Sequence, residues 1–271
     1  MELTKRVMEP FKTIWQNREM IVEMSLKEIR DKYKGQPLGM FWAVFHPFVL
    51  ISVYIFLYGV VFQTRVQIAE QSTMTFTAYL LSGMIPWLCI QNALMGGSIS
   101  VISNAVFIKQ VVFPVEVFPI KAVGSAFIIE ILYIVIDIVY CIISAKEILW
   151  TYILLPYIFF VQLIFLVGIN YMLSALAAYL KDTKDIVQVI CQIGIYMMPV
   201  IYLPEAVPTM FKIIIYINPL SHYIWMFQDT LFYGNIMHWY SWILCTICSL
   251  VVLYIGHRVY GKLKIGFGSV L

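Results

Sequence analysis

The sequence predicts an all-α membrane protein with six transmembrane helices, an N-terminal interfacial amphipathic helix and a re-entrant hairpin between spans 5 and 6. The prediction rests on the apolar composition, the spacing of uncharged runs and the distribution of Lys and Arg. Hydrophobic residues make up 62% of the 271 positions and charged residues 12%, and the mean hydropathy is +0.86. Soluble domains average roughly 45–50% apolar and about 25% charged residues, so a water-soluble fold cannot hide this apolar surface.

Six runs with few or no charges have the length, about 20 residues, that a helix needs to cross a bilayer. The predicted spans 1 to 6 cover residues 38–62, 73–95, 122–143, 153–179, 186–202 and 238–260. The segment 203–232 is also apolar, but Pro204, Pro208 and Pro219 interrupt it. Its charge-free part is short for a crossing, so we predict a re-entrant helical hairpin there.

The basic residues predict the orientation of the spans. With the N-terminus in the cytoplasm, all of the 18 Lys and Arg residues except Arg65, Lys146 and Lys212 fall on the cytoplasmic side. This asymmetry is typical of the positive-inside rule. It predicts that both termini are cytoplasmic.

The first 36 residues are rich in charge and are predicted to form an amphipathic helix that does not cross the membrane. Phe11, Ile14 and Trp15 fall on one helical face, a pattern typical of a helix at the membrane interface. A helix packed on a soluble partner is the alternative, and the two interpretations are compatible.

Two acidic residues stand inside span 3. Glu130 and Asp137 are seven positions apart and therefore share a helix face. A charge at mid-bilayer costs roughly 2.5–3.5 kcal/mol, so both side chains are predicted to face protein or water. Two roles stay open, namely a polar pathway or proton relay and hydrogen bonds to hydroxyl groups of neighbouring spans.

The sequence offers no support for an enzyme. Gly256, Gly261 and Lys262 match the start of a phosphate-binding loop, but Leu263 stands where the loop needs a hydroxyl residue. We therefore expect no catalytic residue, no metal site and no cofactor in this chain. We also expect no nucleic-acid partner, and any ATP is expected to be bound by another subunit.

Aromatic residues crowd span 1. They include Phe41, Trp42, Phe45, Tyr54 and Tyr58. Aromatic faces stack on the C–H faces of sugars, and Tyr and Trp add polar groups, so a channel for a sugar substrate is one interpretation. Contact with membrane lipids is the other.

A series of short motifs runs along nearly the whole chain. They are KEIRDKYKG at 27–35 with Trp42 and Pro47; Asn104, Lys109, Phe113-Pro114, Glu116 and Pro119; Lys181-Asp182; MPVIY at 198–202; and Asn218-Pro219-Leu220. In order and spacing they resemble the ABC-2 type permeases that export polysaccharides. One departure is Gln228-Asp229, which stands where that family is expected to have Arg-Asp and weakens any charge pair in the hairpin.

The resemblance implies a transmembrane permease subunit of an ATP-driven exporter in the bacterial inner (plasma) membrane. Residues 37–271 would be the ABC-2 type transmembrane domain and residues 1–36 the cytoplasmic, interfacial helix. The substrate would be a polysaccharide linked to polyprenyl diphosphate, with O antigen of lipopolysaccharide first, and capsule or teichoic acid next. Such permeases form a homodimer with two nucleotide-binding ATPase subunits, which hold ATP and magnesium. The alternatives are an ABC-2 drug or lipid exporter and a membrane glycosyltransferase or ligase.

Coupling to an ATPase needs a cytoplasmic element, which we predict between spans 2 and 3. Gly96 and Gly97 are expected to end the membrane helix, and a short helix is expected within 98–112. Its predicted docking face carries Val101, Ala105 and Ile108 by helical spacing. The predicted coupling residues also include Asn104 and Lys109 of this helix and Glu116 after it. An ordinary extension of span 2 is the alternative.

The prolines near the outer face predict a gate. Pro199, Tyr202, Asn218 and Pro219 mark the end of span 5 and the hairpin. We expect this segment to gate or line the exit for the substrate.

Overall fold

A computed structural model of the chain describes residues 2–61, 75–110, 113–145 and 147–271, which form helices and turns without a strand. The all-α prediction is therefore confirmed for these ranges. The α-helices are α1 (Glu2–Gln16), α2 (Arg18–Lys32), α3 (Phe41–Tyr54), α4 (Phe76–Ile99), α5 (Ala105–Gln110), α6 (Val117–Ala145), α7 (Leu155–Tyr179), α8 (Thr183–Gly194), α9 (Thr209–Ile217), α10 (Pro219–Gln228), α11 (Trp239–Leu263) and α12 (Phe267–Val270).

Within the described ranges, five helical segments are long and apolar enough to cross a membrane. They are Phe41–Val61, Phe76–Ile99, Val117–Ser144, Trp150–Tyr179 and Trp239–Val270. They correspond to predicted spans 1, 2, 3, 4 and 6. The end of predicted span 1 at 62, the start of span 2 at 73–74, and the outer basic residues Arg65 and Lys146 lie outside the described residues.

The region of predicted span 5 is shorter than the sequence suggests. α8 has 12 residues and continues only as a 3₁₀ turn, Ile195–Met197. At about 1.5 Å per residue, α8 rises roughly 18 Å, less than the ~30 Å hydrocarbon core. Pro199 follows and lacks the N–H that a helix needs, so the sixth span stays a prediction.

Glycines set the closest helix contact, between α7 and α11. A Cβ atom on Gly168 would lie 2.5 Å from the Leu253 nitrogen and 2.6 Å from the Leu253 Cα, and one on Gly256 would overlap the Gly168 carbonyl. Small residues at such a crossing let two backbones approach. Gly256 and Gly261, which resemble the start of a phosphate loop in sequence, both lie inside the continuous helix α11.

The N-terminal segment forms two helices, α1 and α2, where one amphipathic helix was predicted. α2 docks on α6: the Ser25 hydroxyl donates to the Lys121 carbonyl oxygen (3.1 Å), and Glu28 pairs with the Lys121 ammonium group (3.5 Å). Gly124 leaves room for Ser25, because a Cβ there would overlap the Ser25 hydroxyl. Trp15 is 70% exposed, so it does not pack inward with the partly buried Phe11.

Candidate transport site and coupling element

A cavity of about 640 Å³ opens between α2, α3, α4, α6 and α8, at the end of the bundle where the sequence predicts the cytoplasm. Its polar lining consists of Glu28, Lys32, Tyr33, His46, Asn92, Ser98, Ser125, Tyr133, Lys184, Asp185 and Gln188. Burial raises the pKa of Tyr33 further above its ordinary value, which already keeps the hydroxyl protonated at neutral pH. The cavity thus combines the ammonium groups of Lys32 and Lys184 and neutral hydrogen-bond donors with two carboxylates, Glu28 and Asp185, of which Glu28 pairs with Lys121.

The aromatic residues at the start of α3 do not line this cavity. α3 contributes Ala43, His46 and Pro47 to it, whereas Phe41 is 54% exposed and stacks on Phe45 with ring centroids 5.1 Å apart. Sequence reasoning missed His46, because nothing in the local pattern shows which face of an apolar helix meets α2 and α6.

The aromatic residues farther along span 1 begin a row of ring contacts. Tyr54 and Tyr58 stack at 6.3 Å, and Tyr58 meets Phe76 at 5.7 Å. The row continues through Tyr79 to Phe232, both buried. The buried rings serve packing, and of the residues in this row only Tyr54 and Tyr58 are partly exposed.

Glu130 and Asp137 are buried in protein, as the cost of a charge in lipid predicts. Glu130 accepts a hydrogen bond from the Gln162 amide (3.2 Å), and Asp137 lies 3.9 Å from the Cys141 sulfur. One prediction was that hydroxyl groups of neighbouring spans would be their partners. The observed partners are instead an amide and a thiol. No described contact assigns either residue to a pathway.

The connection between α4 and α6 differs in detail from the predicted coupling helix. α4 runs through Gly96 and Gly97 to Ile99, so these glycines do not end it. A Cβ atom on Gly97 would overlap the Asn170 amide, which shows that the glycine serves close packing against α7. A 3₁₀ turn, Ile102–Asn104, then leads into the short helix α5.

The predicted docking face of α5 points partly inward. Val101 is fully buried, and Ile108 packs against the core. The outward face carries Val106, which is 68% exposed, and Phe107, which is 41% exposed. Sequence reasoning missed both; the spacing placed apolar residues on two faces of this helix, and only the packing distinguishes them. Residues 111–112 of the predicted element lie outside the described residues.

The hairpin consists of α9 and α10, joined at Asn218. The Asn218 side chain accepts from the Leu220 N–H (3.0 Å), and Pro219 occupies the first turn of α10, as local helix-start rules predict. α9 is mostly exposed, whereas α10 is buried from Ser221 to Gln228.

The break after α8 is attached to this buried helix. The Pro199 carbonyl oxygen accepts from the Tyr79 hydroxyl (3.0 Å) and from the Gln228 amide (2.7 Å). The Tyr202 hydroxyl donates to the Tyr196 carbonyl oxygen (3.0 Å). The Tyr79 hydroxyl also donates to the Tyr202 carbonyl oxygen (3.2 Å), so Pro199 and Tyr202 belong to one hydrogen-bonded unit with α4 and α10.

Asp229 finds its partners downstream, although Gln228 replaces the expected Arg. Its buried carboxylate accepts from the His238 backbone N–H (3.0 Å) and the Trp242 indole N–H (3.0 Å), and lies 2.8 Å from His238 Nδ1. This cluster ties the end of the hairpin to the start of α11.

Replacing Asp229 with Leu is expected to destabilise the protein strongly. The change leaves the Trp242 and His238 donors without their acceptor, and a buried unsatisfied group costs about 1–3 kcal/mol. Asp229→Asn, which keeps one acceptor oxygen, should lose less. Thermal unfolding of the purified protein in detergent measures the difference, with exposed Asp185→Asn as control. Equal melting temperatures for Asp229→Leu and the control would contradict the prediction.

Within the described ranges, the chain is helical and has five segments long enough to span a membrane, a short helix, α10, buried in its core, and a short helix, α5, with an exposed outer face. Membrane subunits of transporters share this organisation. Its helix ends and connections carry the polar clusters described above. The family model for the ABC-2 type transporter matches residues 20–232, and the chain belongs to this family.

Named relatives resemble the chain over most of its length. Two proteins from Klebsiella pneumoniae, each named O-antigen export system permease protein RfbA, are 28% identical over 257 residues, which is 93% of this chain and 95% of theirs. A protein of the same name from Myxococcus xanthus is 23% identical over 189 residues, 70% of each chain.

Proposed function

We propose that this chain is the membrane-spanning permease of an ATP-driven exporter that moves O antigen, carried on polyprenyl diphosphate, across the bacterial inner membrane. The observation that carries the proposal is the similarity over 93% of the chain to proteins named O-antigen export system permease. A match of this extent includes the spans, the hairpin and the α4–α6 connection together.

The proposed topology has six spans, with α8 and the turn after it as a shortened fifth span. Both termini are cytoplasmic, α1 and α2 lie at the membrane interface, and α9 with α10 forms a re-entrant hairpin near the outer face. The lengths support the hairpin, because α10 has 10 residues and rises only about 15 Å. Its burial also supports it, since non-spanning backbone at membrane depth is tolerated where protein surrounds it.

The working assembly in this proposal is a homodimer of the chain with two ATPase subunits that bind ATP and magnesium. The position of Gly256, Gly261 and Lys262 inside a continuous helix supports a nucleotide site on the partner, since a phosphate loop needs a strand–loop–helix context. α5 docks on the ATPase, with Val106 and Phe107 as anchors.

The cavity beside α2 is the proposed site for the carrier's diphosphate. Lys32 and Lys184 supply positive charge for phosphate oxygens, and Tyr33 supplies a neutral donor. Of the two carboxylates in the lining, Glu28 is paired with Lys121, which leaves Asp185 as the group that opposes an anion. Tyr54 and Tyr58 then line the path of the sugar polymer. The hydrogen-bonded unit of Pro199 and Tyr202, together with Asn218 and Pro219 at the start of α10, forms the outer gate.

Deletion of the gene tests the function. Cells without it should lose surface O antigen and accumulate lipid-linked polymer on the cytoplasmic face, and a plasmid copy should restore export. Unchanged surface polymer would contradict the proposal. Loss of polymer synthesis without accumulation would instead favour a glycosyltransferase or ligase, and altered drug or phospholipid export alone would favour the other ABC-2 exporters.

A further inference from the structure

The end of α11 contacts the segment through which the chain returns from α5 to α6. The Lys264 ammonium group forms an ion pair with Glu116, whose side chain is 14% exposed. One turn earlier, the Tyr260 hydroxyl donates to the Val115 carbonyl oxygen at 2.8 Å. Because Val115 and Glu116 directly precede α6, these two contacts join the coupling region to the last predicted span.

The α11 side of this junction is rigidly held. Tyr260 is fully buried, with its ring 5.1 Å from Tyr171 and 5.6 Å from Phe267. The Tyr179 hydroxyl donates to the Leu263 carbonyl oxygen at 2.8 Å. The end of α11 is thus attached to α7 and is a firm support for the return segment.

The α5 side is held on its inner face. Ile108 packs against the core, and the Phe107 ring lies 5.1 Å from Phe113 and 6.0 Å from Phe118, so α5 contacts both the return segment and α6. On the outer face, Val106 is 68% exposed. A push on α5 therefore reaches the return segment through Phe107. That segment is joined to α11 by the contacts among Val115, Glu116, Tyr260 and Lys264, here called the return clamp.

We propose that the return clamp transmits the ATP-driven movement of α5 to α11, with Glu116, Lys264 and Tyr260 as positioning residues. The inference rests on the proposed function, since it assumes an ATPase that pushes on α5. The clamp adds α11 to the helices that move. α4 and α6 move with α5 because the chain connects them to it.

The surroundings of the clamp suit a charge-swap experiment. A cavity of about 300 Å³ beside it is lined by Glu9 and Lys12 of α1 as well as by His257. Exchanging Glu116 and Lys264 leaves the net charge of this cavity unchanged, so a double variant isolates the pairing itself.

The test compares Glu116→Lys, Lys264→Glu and the double swap in the permease–ATPase complex, reconstituted in liposomes with lipid-linked polymer. The measured quantity is polymer exported per ATP hydrolysed, with copurification of the ATPase as the check on assembly. Export per ATP should fall about fivefold or more in each single variant, which is the lower end of measured coupling effects. The double swap should recover most of this export. Lys262→Glu, an exposed position two residues away, should behave as wild type.

Tyr260→Phe removes only the hydroxyl and keeps the buried ring, so it decides the question if the charge variants fail to assemble. It should lower export per ATP by about two- to twelvefold, the effect of one hydrogen bond, without lowering ATP hydrolysis. Wild-type export per ATP in Tyr260→Phe, or a double swap no better than the single variants, would overturn the proposal. A wild-type complex that hydrolyses ATP without exporting polymer would instead contradict the proposed function.

Discussion

Leucine in place of Gly256 or Gly168 is expected to abolish stable folding of the membrane domain. A side chain at Gly256 would occupy the space of the Gly168 carbonyl group, and one at Gly168 would meet the backbone of Leu253. Backbone atoms cannot turn aside as a flexible side chain does, so α7 and α11 would have to separate. Overpacking typically costs about 1–3 kcal/mol, and occasionally more; a backbone overlap in a membrane interface belongs to the severe cases.

Gly261→Leu is the matched control, because it lies in the same helix and a Cβ atom there has no neighbour within 4 Å. Leu also favours helix over Gly by nearly 1 kcal/mol, so the control should be neutral or slightly stabilised. The measurement is the yield of monodisperse protein extracted in mild detergent, together with its melting temperature. Similar yields for Gly256→Leu and Gly261→Leu would show that the α7–α11 contact is not as close as described.

Aspartate in place of Val106 is expected to disconnect the permease from its ATPase. Val106 is the most exposed apolar residue of α5, so aspartate there would bring an unpaired charge into the interface, whose core is normally depleted of charge. A buried group without a partner costs about 1–3 kcal/mol, and about 2 kcal/mol weakens binding roughly 30-fold. The variant should still insert in the membrane, but it should copurify less ATPase and export little polymer.

Ile148→Asp provides the control, since Ile148 is 77% exposed and lies in the loop between α6 and α7, which the sequence places on the outer side. It should leave ATPase copurification unchanged. Val106 is a sharper test than Ala105, because Ala105 is partly buried and a charge there disturbs packing as well as docking. Full export by Val106→Asp would mean that force enters elsewhere, with α2 as the next candidate.

Features governed by local chemistry were predictable. The composition required a lipid environment, and the uncharged runs located the five long spans. Asn218 and Pro219 marked the start of α10, because a capping side chain and a proline act within one helical turn.

Features that depend on which helices pack together were not predictable from the sequence. The sequence suggested that Gly96 and Gly97 end a helix, but α4 continues because Gly97 is needed against Asn170. It also placed Val101 on an exposed docking face, whereas the residue is buried. In both cases the residue type permits two outcomes, and the packing of a distant helix selects one.

The sequence by itself determined the class of protein, because transfer into lipid depends on the summed apolarity of each helix and on the charges at its ends. It also predicted the interruptions at Pro204, Pro208 and Pro219, because proline lacks a backbone donor, whereas Pro47 and Pro86 lie inside the helices α3 and α4. Only the tertiary structure decided which helix faces form the cavity beside α2, which donors satisfy Asp229 and that Lys264 reaches Glu116. These are contacts between residues up to 148 positions apart, and such contacts depend on how helices pack rather than on any local pattern.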